Sequence, residues 1–113
     1  EDGEVARVVW MPQALDDLEA ICLFIARDSP NVARVFAQKA FRKTDRLARF
    51  PELGRSVPEW GDKTVREVFL FSYRVIYRIL PSELQILTVH HGARQLTESA
   101  LPDESEDDPA DEP

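Results

Sequence analysis

Two adjacent histidines, three arginines and two tyrosines crowd into YRVIYRILPSELQILTVHHGARQL, residues 73 to 96. Histidine titrates near neutral pH, so His90 or His91 could act as a general acid or base. Neighbours on a strand point to opposite faces, however, so the two imidazoles are poorly placed to share one ion. No CxxC, HExxH or acidic triad completes a site, and neither metal nor cofactor is expected. With no evident catalytic partner, one histidine is read as satisfying a hydrogen bond at the sheet edge and the other as solvated.

Arg74 and Arg78 fall on one strand face, four residues and roughly 13 Å apart. They can contact two sites but cannot pinch one phosphate. Arg94 follows the last strand across Gly92, a residue that lets the chain change direction. Arginines within a strand that otherwise reads V-I-Y-I predict a sheet with one face under helices and the other open and basic, and that open face is the candidate binding surface. The competing reading pairs these arginines across strands, for instance with Glu67. No Gly-rich phosphate loop or GxSxG elbow is present, and Ser56 and Ser72 have no evident activating base.

These residues need a frame. ARVVWM, residues 6 to 11, reads as a short first strand stopped by Pro12. From Ala14 the period changes: Leu15, Leu18, Ile21, Cys22 and Ile25 mark an amphipathic helix to about Arg27, with Asp16, Asp17 and Glu19 expected in its first turn. DSPN breaks it, Ser29 or Asn31 being suited to cap the next helix and Pro30 to begin it. That second helix carries Val32, Phe36, Ala40 and Leu47 on one stripe, with Phe50 near its end. Arg34, Lys39, Arg42, Lys43, Arg46 and Arg49 make it the most basic segment of the chain. FPELGRSVPEWGD, residues 50 to 62, follows neither period and reads as a long loop. TVREVFLF, YRVIYRIL and LQILTVHH then alternate with period two, predicting a three-strand antiparallel meander. The fold class is α+β: an N-terminal strand, then a helical hairpin packed on a small, mainly antiparallel sheet.

The formal charge of -7 is unevenly spread over the 113 residues. Residues 98 to 113 hold eight acids and no base, and residues 1 to 4 hold three more acids. Without those eleven, ten acids face 14 bases, and the body of the chain is net +4. One domain over residues 1 to 97 is expected, with 98 to 113 an acidic disordered tail that confers solubility or screens the basic surface of its own domain. No apolar run approaches the roughly 20 residues that cross a bilayer and no signal-peptide pattern is seen, so a cytoplasmic protein without a membrane partner is expected. Cys22 is the single cysteine, read as a buried thiol without a redox role.

The order VVWMPQALDDLEAICLFIA, FPELGR, VREVFLFSYRVIYRI and ILTVHHGAR, spanning about residues 6 to 96, resembles the ParE/RelE superfamily of toxins from type II toxin-antitoxin operons. The resemblance implies a helical hairpin on an antiparallel sheet, in agreement with the fold read from the residues. It also implies one of two activities: RelE-like cleavage of mRNA on the ribosome, or ParE-like poisoning of DNA gyrase. By similarity to the RelE pattern, Arg74 and Arg94 stand where phosphate-stabilising arginines occur. The strand before YR reads VREVFLF with Arg66 its only cation, and QLTESA lacks the tyrosine of that branch. His90, His91 or Glu67 would have to move the proton. These departures, with FPELGR and HGAR, place the chain closer to ParE, whose action is binding rather than bond cleavage. Arg66, Arg74, Arg78 and Arg94 are then the candidate binding residues. The partners implied are a ParD-like antitoxin, in a toxin-antitoxin hetero-oligomer, and DNA gyrase. A RelE-like endoribonuclease and an inactive toxin-derived binding module are the alternatives.

Overall fold

The computed structural model describes residues 7–92. β1 (Arg7–Trp10) is closed by Met11, whose N–H donates to the Ile86 carbonyl, and Pro12 then starts α1 (Pro12–Ala26) two residues before the period alone indicates. Asp16, Asp17 and Glu19 therefore lie beyond the first turn, contrary to expectation. Ser29 caps α2 (Pro30–Arg49), its Oγ accepting from the Val32 N–H at 3.2 Å. Phe36, Ala40 and Leu47 are buried as their spacing requires, whereas Val32 and Phe50 stay more than half exposed.

The expected loop is more ordered than its composition suggests. A 3-10 turn (Pro51–Leu53) leads into a two-residue strand, β2 (Arg55–Ser56), which pairs antiparallel with β3 (Val65–Leu70). β4 (Tyr73–Ile79) and β5 (Glu83–His91) complete the meander. β1 joins parallel to β5, giving the order β1-β5-β4-β3-β2. The α+β reading stands: two helices lie on one face of a five-stranded, mostly antiparallel sheet.

The β3–β4 connection is tight, and Phe71 adopts φ 57°, a left-handed conformation that costs a residue with Cβ roughly 1–2 kcal/mol. Aromatic packing offsets that strain, because the Phe71 ring stacks on Phe36 with centroids 5.8 Å apart.

Two clusters hold the sheet. Ala14, Leu18, Phe36, Ala40 and Leu47 pack on Val68, Leu70, Val75, Tyr77, Leu84, Ile86 and Val89 on the helix side. Val57, Val65 and Ile76 form a smaller cluster with Leu87 on the other. A bulge at Leu87 sets Thr88 opposite Ile76 and Ile86 opposite Tyr77. Asp17 of α1 fastens the helix there, accepting from the Thr88 hydroxyl and, at 3.0 Å, from the Val89 N–H. Asp17→Ala is expected to cost about 2 kcal/mol, the scale of hydrogen bonds to a charged group. Urea unfolding measures it, and a cost near zero would mean that α1 docks through apolar contact alone.

Among the described residues no helix is long and apolar enough to cross a membrane. Cys22 is half-buried, its thiol near the Ala33 carbonyl at 3.8 Å and its pKa raised by burial.

Candidate functional site

Alternation along β3 and β4 puts Val65, Glu67 and Phe69 beside Arg78, Ile76 and Arg74 on the sheet face away from the helices. That face was expected to be open, and the structure corrects this. Residues 57–62 fold over it, because Val57 buries its side chain against Val65 and Ile76. The loop brings Glu59 directly above Arg74, which is only 1% exposed.

Arg74 is the hub of a charged cluster. Its Nε donates to Glu67 Oε1 at 2.7 Å, while Nη1 and Nη2 donate to the two oxygens of Glu59 at 3.1 and 3.0 Å. The fork thus grips one carboxylate bidentately and another edge-on, geometry for which guanidinium is suited. Glu67, itself 1% exposed, accepts a second arginine through its other oxygen, from Arg55 Nε at 2.8 Å. Arg55 also lies 5.5 Å over the Phe69 ring. Two arginines and two glutamates make the cluster neutral. Burial alone would weaken the hold of Arg74 on its proton, but the hydrogen bonds to Glu59 and Glu67 outweigh it and raise its pKa. The same hydrogen bond from Arg74 holds the Glu59 carboxyl below its ordinary value of 4.5.

Sequence spacing correctly put Arg74 and Arg78 on one face and correctly considered Glu67 as a partner, but it missed Glu59. Its signal was weak: an acid inside a long loop containing two prolines and two glycines. Arg78 remains more accessible, with a loose approach to Asp62 at 3.9 Å. Arg66 points elsewhere. Its Nη1 donates to the Gly54 carbonyl at 2.7 Å, where Tyr77 also braces the FPELGR turn by donating to the Pro51 carbonyl and accepting from the Gly54 N–H. The Tyr77 hydroxyl holds its proton more tightly than usual because it is buried.

The histidines diverge as alternation requires. His91 meets the Tyr73 ring edge-on at 5.1 Å, and His90 lines a cleft of about 150 Å³ with Val57, Glu59, Trp60, Arg74 and Ile76. No group of three or more metal-ligating side chains occurs among the described residues. Arg94 and the acidic tail lie outside the described residues. A second hollow, about 210 Å³ and apolar, opens between the helical hairpin and the β3–β4 turn, lined by Ile25, Val32, Val35, Phe36, Phe71 and Tyr73.

Glu59 acts as a latch on the first cleft. Because its folded pKa is depressed, its stabilising contribution is complete above about pH 4.5 and is lost as pH falls through the lower folded value. Acidification is expected to speed hydrogen exchange in residues 57–62 before global unfolding, and Glu59→Gln to do so at neutral pH. Equal exchange in variant and parent would show that Val57 alone holds the loop.

The family described as ParE toxin of type II toxin-antitoxin system, parDE, matches residues 8–96. Toxin RelE2 of Caulobacter vibrioides is 34% identical over 91 residues, covering 80% of this chain and 99% of that protein. The structure of the chromosomal ParDE system from P. aeruginosa superposes with a TM-score of 0.64 at 22% identity, over 77% of this chain and 96% of the other. The RelBE2 toxin-antitoxin complex from Mycobacterium tuberculosis gives 0.53 at 21% identity, over 78% and 92%. A sequence match across the strand, the hairpin and the meander, with the same fold in both structures, has one meaning: the chain belongs to the ParE toxin family, within the ParE/RelE superfamily of type II toxins.

Proposed function

We propose that this toxin acts by binding DNA gyrase in the cytoplasm and is neutralised by a cognate ParD-like antitoxin. The observation that carries the reading is the confinement of Arg74. A nuclease of RelE type needs cationic donors aimed at the phosphorane and a group to move the proton. Here the arginine at the matching position is buried and bidentately bound to Glu59, and reaching it means breaking two charged contacts. Binding makes no such demand on Arg74. Arg78 and the half-exposed Trp60 remain available at the rim.

The apolar hollow supports an antitoxin partner. An amphipathic segment could bury its apolar side against Val32, Val35 and Phe71. The antitoxin complexes among the structural neighbours support the same partner class.

One observation favours the alternative. His90 shares the cleft with Glu59 and Arg74, so displacement of the latch would bring an imidazole and a guanidinium to one substrate. Supercoiling of relaxed plasmid by purified gyrase, titrated with the full chain, tests the first reading. Dose-dependent inhibition reversed by the antitoxin is the expected result. Ribosome-dependent mRNA cleavage lost in Arg94→Ala, with gyrase untouched, would establish the second.

A further inference from the structure

We infer that the basic face of α2 is an internal docking surface for the acidic segment 98–113 of the same chain. Six of the 20 residues of α2 are basic and one, Asp45, is acidic. Lys39, Arg42, Lys43, Arg46 and Arg49 recur at three- and four-residue steps, which gathers them along one side of the helix. The first four line a shallow groove, and Lys43 is only 5% exposed. An extended polyanion can lie on the aliphatic stems of these side chains and meet the charged heads of Lys39, Arg42 and Arg46, whereas Lys43 is buried beneath them.

The course of the chain favours an occupant from within. The Gly92 N–H donates to the Ser72 carbonyl at 2.8 Å, and the residue beside Ser72 is Phe71, with Lys39 Nζ 6.0 Å from its ring centroid. The described chain thus ends near the Lys39 end of the stripe. Residues 93 to 97 can span about 17 Å when extended, and Lys39 to Arg49 covers about 15 Å of helix. The following 16 residues carry eight acids and no base, a charge opposite in sign to that of the α2 stripe. Tethering keeps the segment at an effective concentration on the order of millimolar, so weak individual ion pairs suffice. A partner that uses this face, such as a nucleic-acid backbone, must displace the segment first.

The test is paramagnetic relaxation in the full chain, with Cys22→Ala as background and a nitroxide on Ser105→Cys. At about 10 mM salt, where charges act over about 30 Å, amides of residues 39 to 49 are expected to lose about half or more of their signal, while those of residues 62 to 66 keep theirs. About 1 M NaCl, which shortens that range to about 3 Å, should restore the signal. K39Q/R42Q/R46Q should restore it at low salt, with the remaining spectrum unchanged as evidence of folding. Broadening spread evenly over the domain, or undiminished in the triple variant, would overturn the assignment. So would undisturbed α2 amides that instead shift on adding a DNA duplex, an outcome that would give this face to nucleic acid.

Discussion

Glu67→Ala should lower stability by about 3–5 kcal/mol, the scale for breaking a buried ion pair by removing one partner. Glu67 and Arg74 are each 1% exposed, and Glu67 also receives Arg55. Alanine would leave the Arg74 Nε and Arg55 Nε without their acceptor while Arg74 stays enclosed by the loop. Urea unfolding reads the effect as a shift in midpoint at constant slope. The double change Glu67→Leu with Arg74→Met separates charge from space, because it removes both buried charges and keeps apolar volume. It is expected to recover much of the loss, since apolar replacement of a buried pair is often neutral or better. A single-variant cost below about 1 kcal/mol, typical of exposed pairs, would show that water reaches the cluster.

Gly54→Ala is expected to cost about 3 kcal/mol, the upper part of the usual range for overpacking. A Cβ there would stand 2.5 Å from the Glu67 carbonyl and 2.6 Å from the Tyr77 hydroxyl. The first neighbour is sheet backbone and the second is fixed by bonds to Gly54 and Pro51, so neither yields cheaply. Clash is the issue rather than φ, which at -79° suits any residue. Because β2 follows immediately and carries Arg55, the damage should extend to the charged cluster. The checkable signature is a lower melting temperature together with faster exchange at residues 55–62. If exchange there stays at the parent rate, the turn and the cluster are independent.

Local pattern was enough for both helices and four of the five strands, while the 3-10 turn and β2 inside residues 50–62 escaped it. Periods of 3.6 and two marked α1, α2 and β3 to β5, Ser29 and Pro30 marked the start of α2, and alternation separated His90 from His91. These are properties of neighbouring residues, which a chain carries before it folds. The resemblance in motif order pointed to the toxin superfamily for a similar reason, since it rests on residue types in sequence. The environment of Arg74 was different. The same strand pattern is compatible with an open basic face or with a covered one, and the outcome depends on whether the 57–62 loop finds apolar purchase on the sheet. Val57 supplies that purchase against Val65 and Ile76, eight and 19 residues away along the chain. Asp17 likewise changed meaning, from a presumed dipole partner to the anchor of a bulge more than 70 residues away. Sequence alone determined both helices, four of the five strands and the family; tertiary structure decided the pairing of β2 and which charges meet water, because both are set by contacts between segments that no local period encodes.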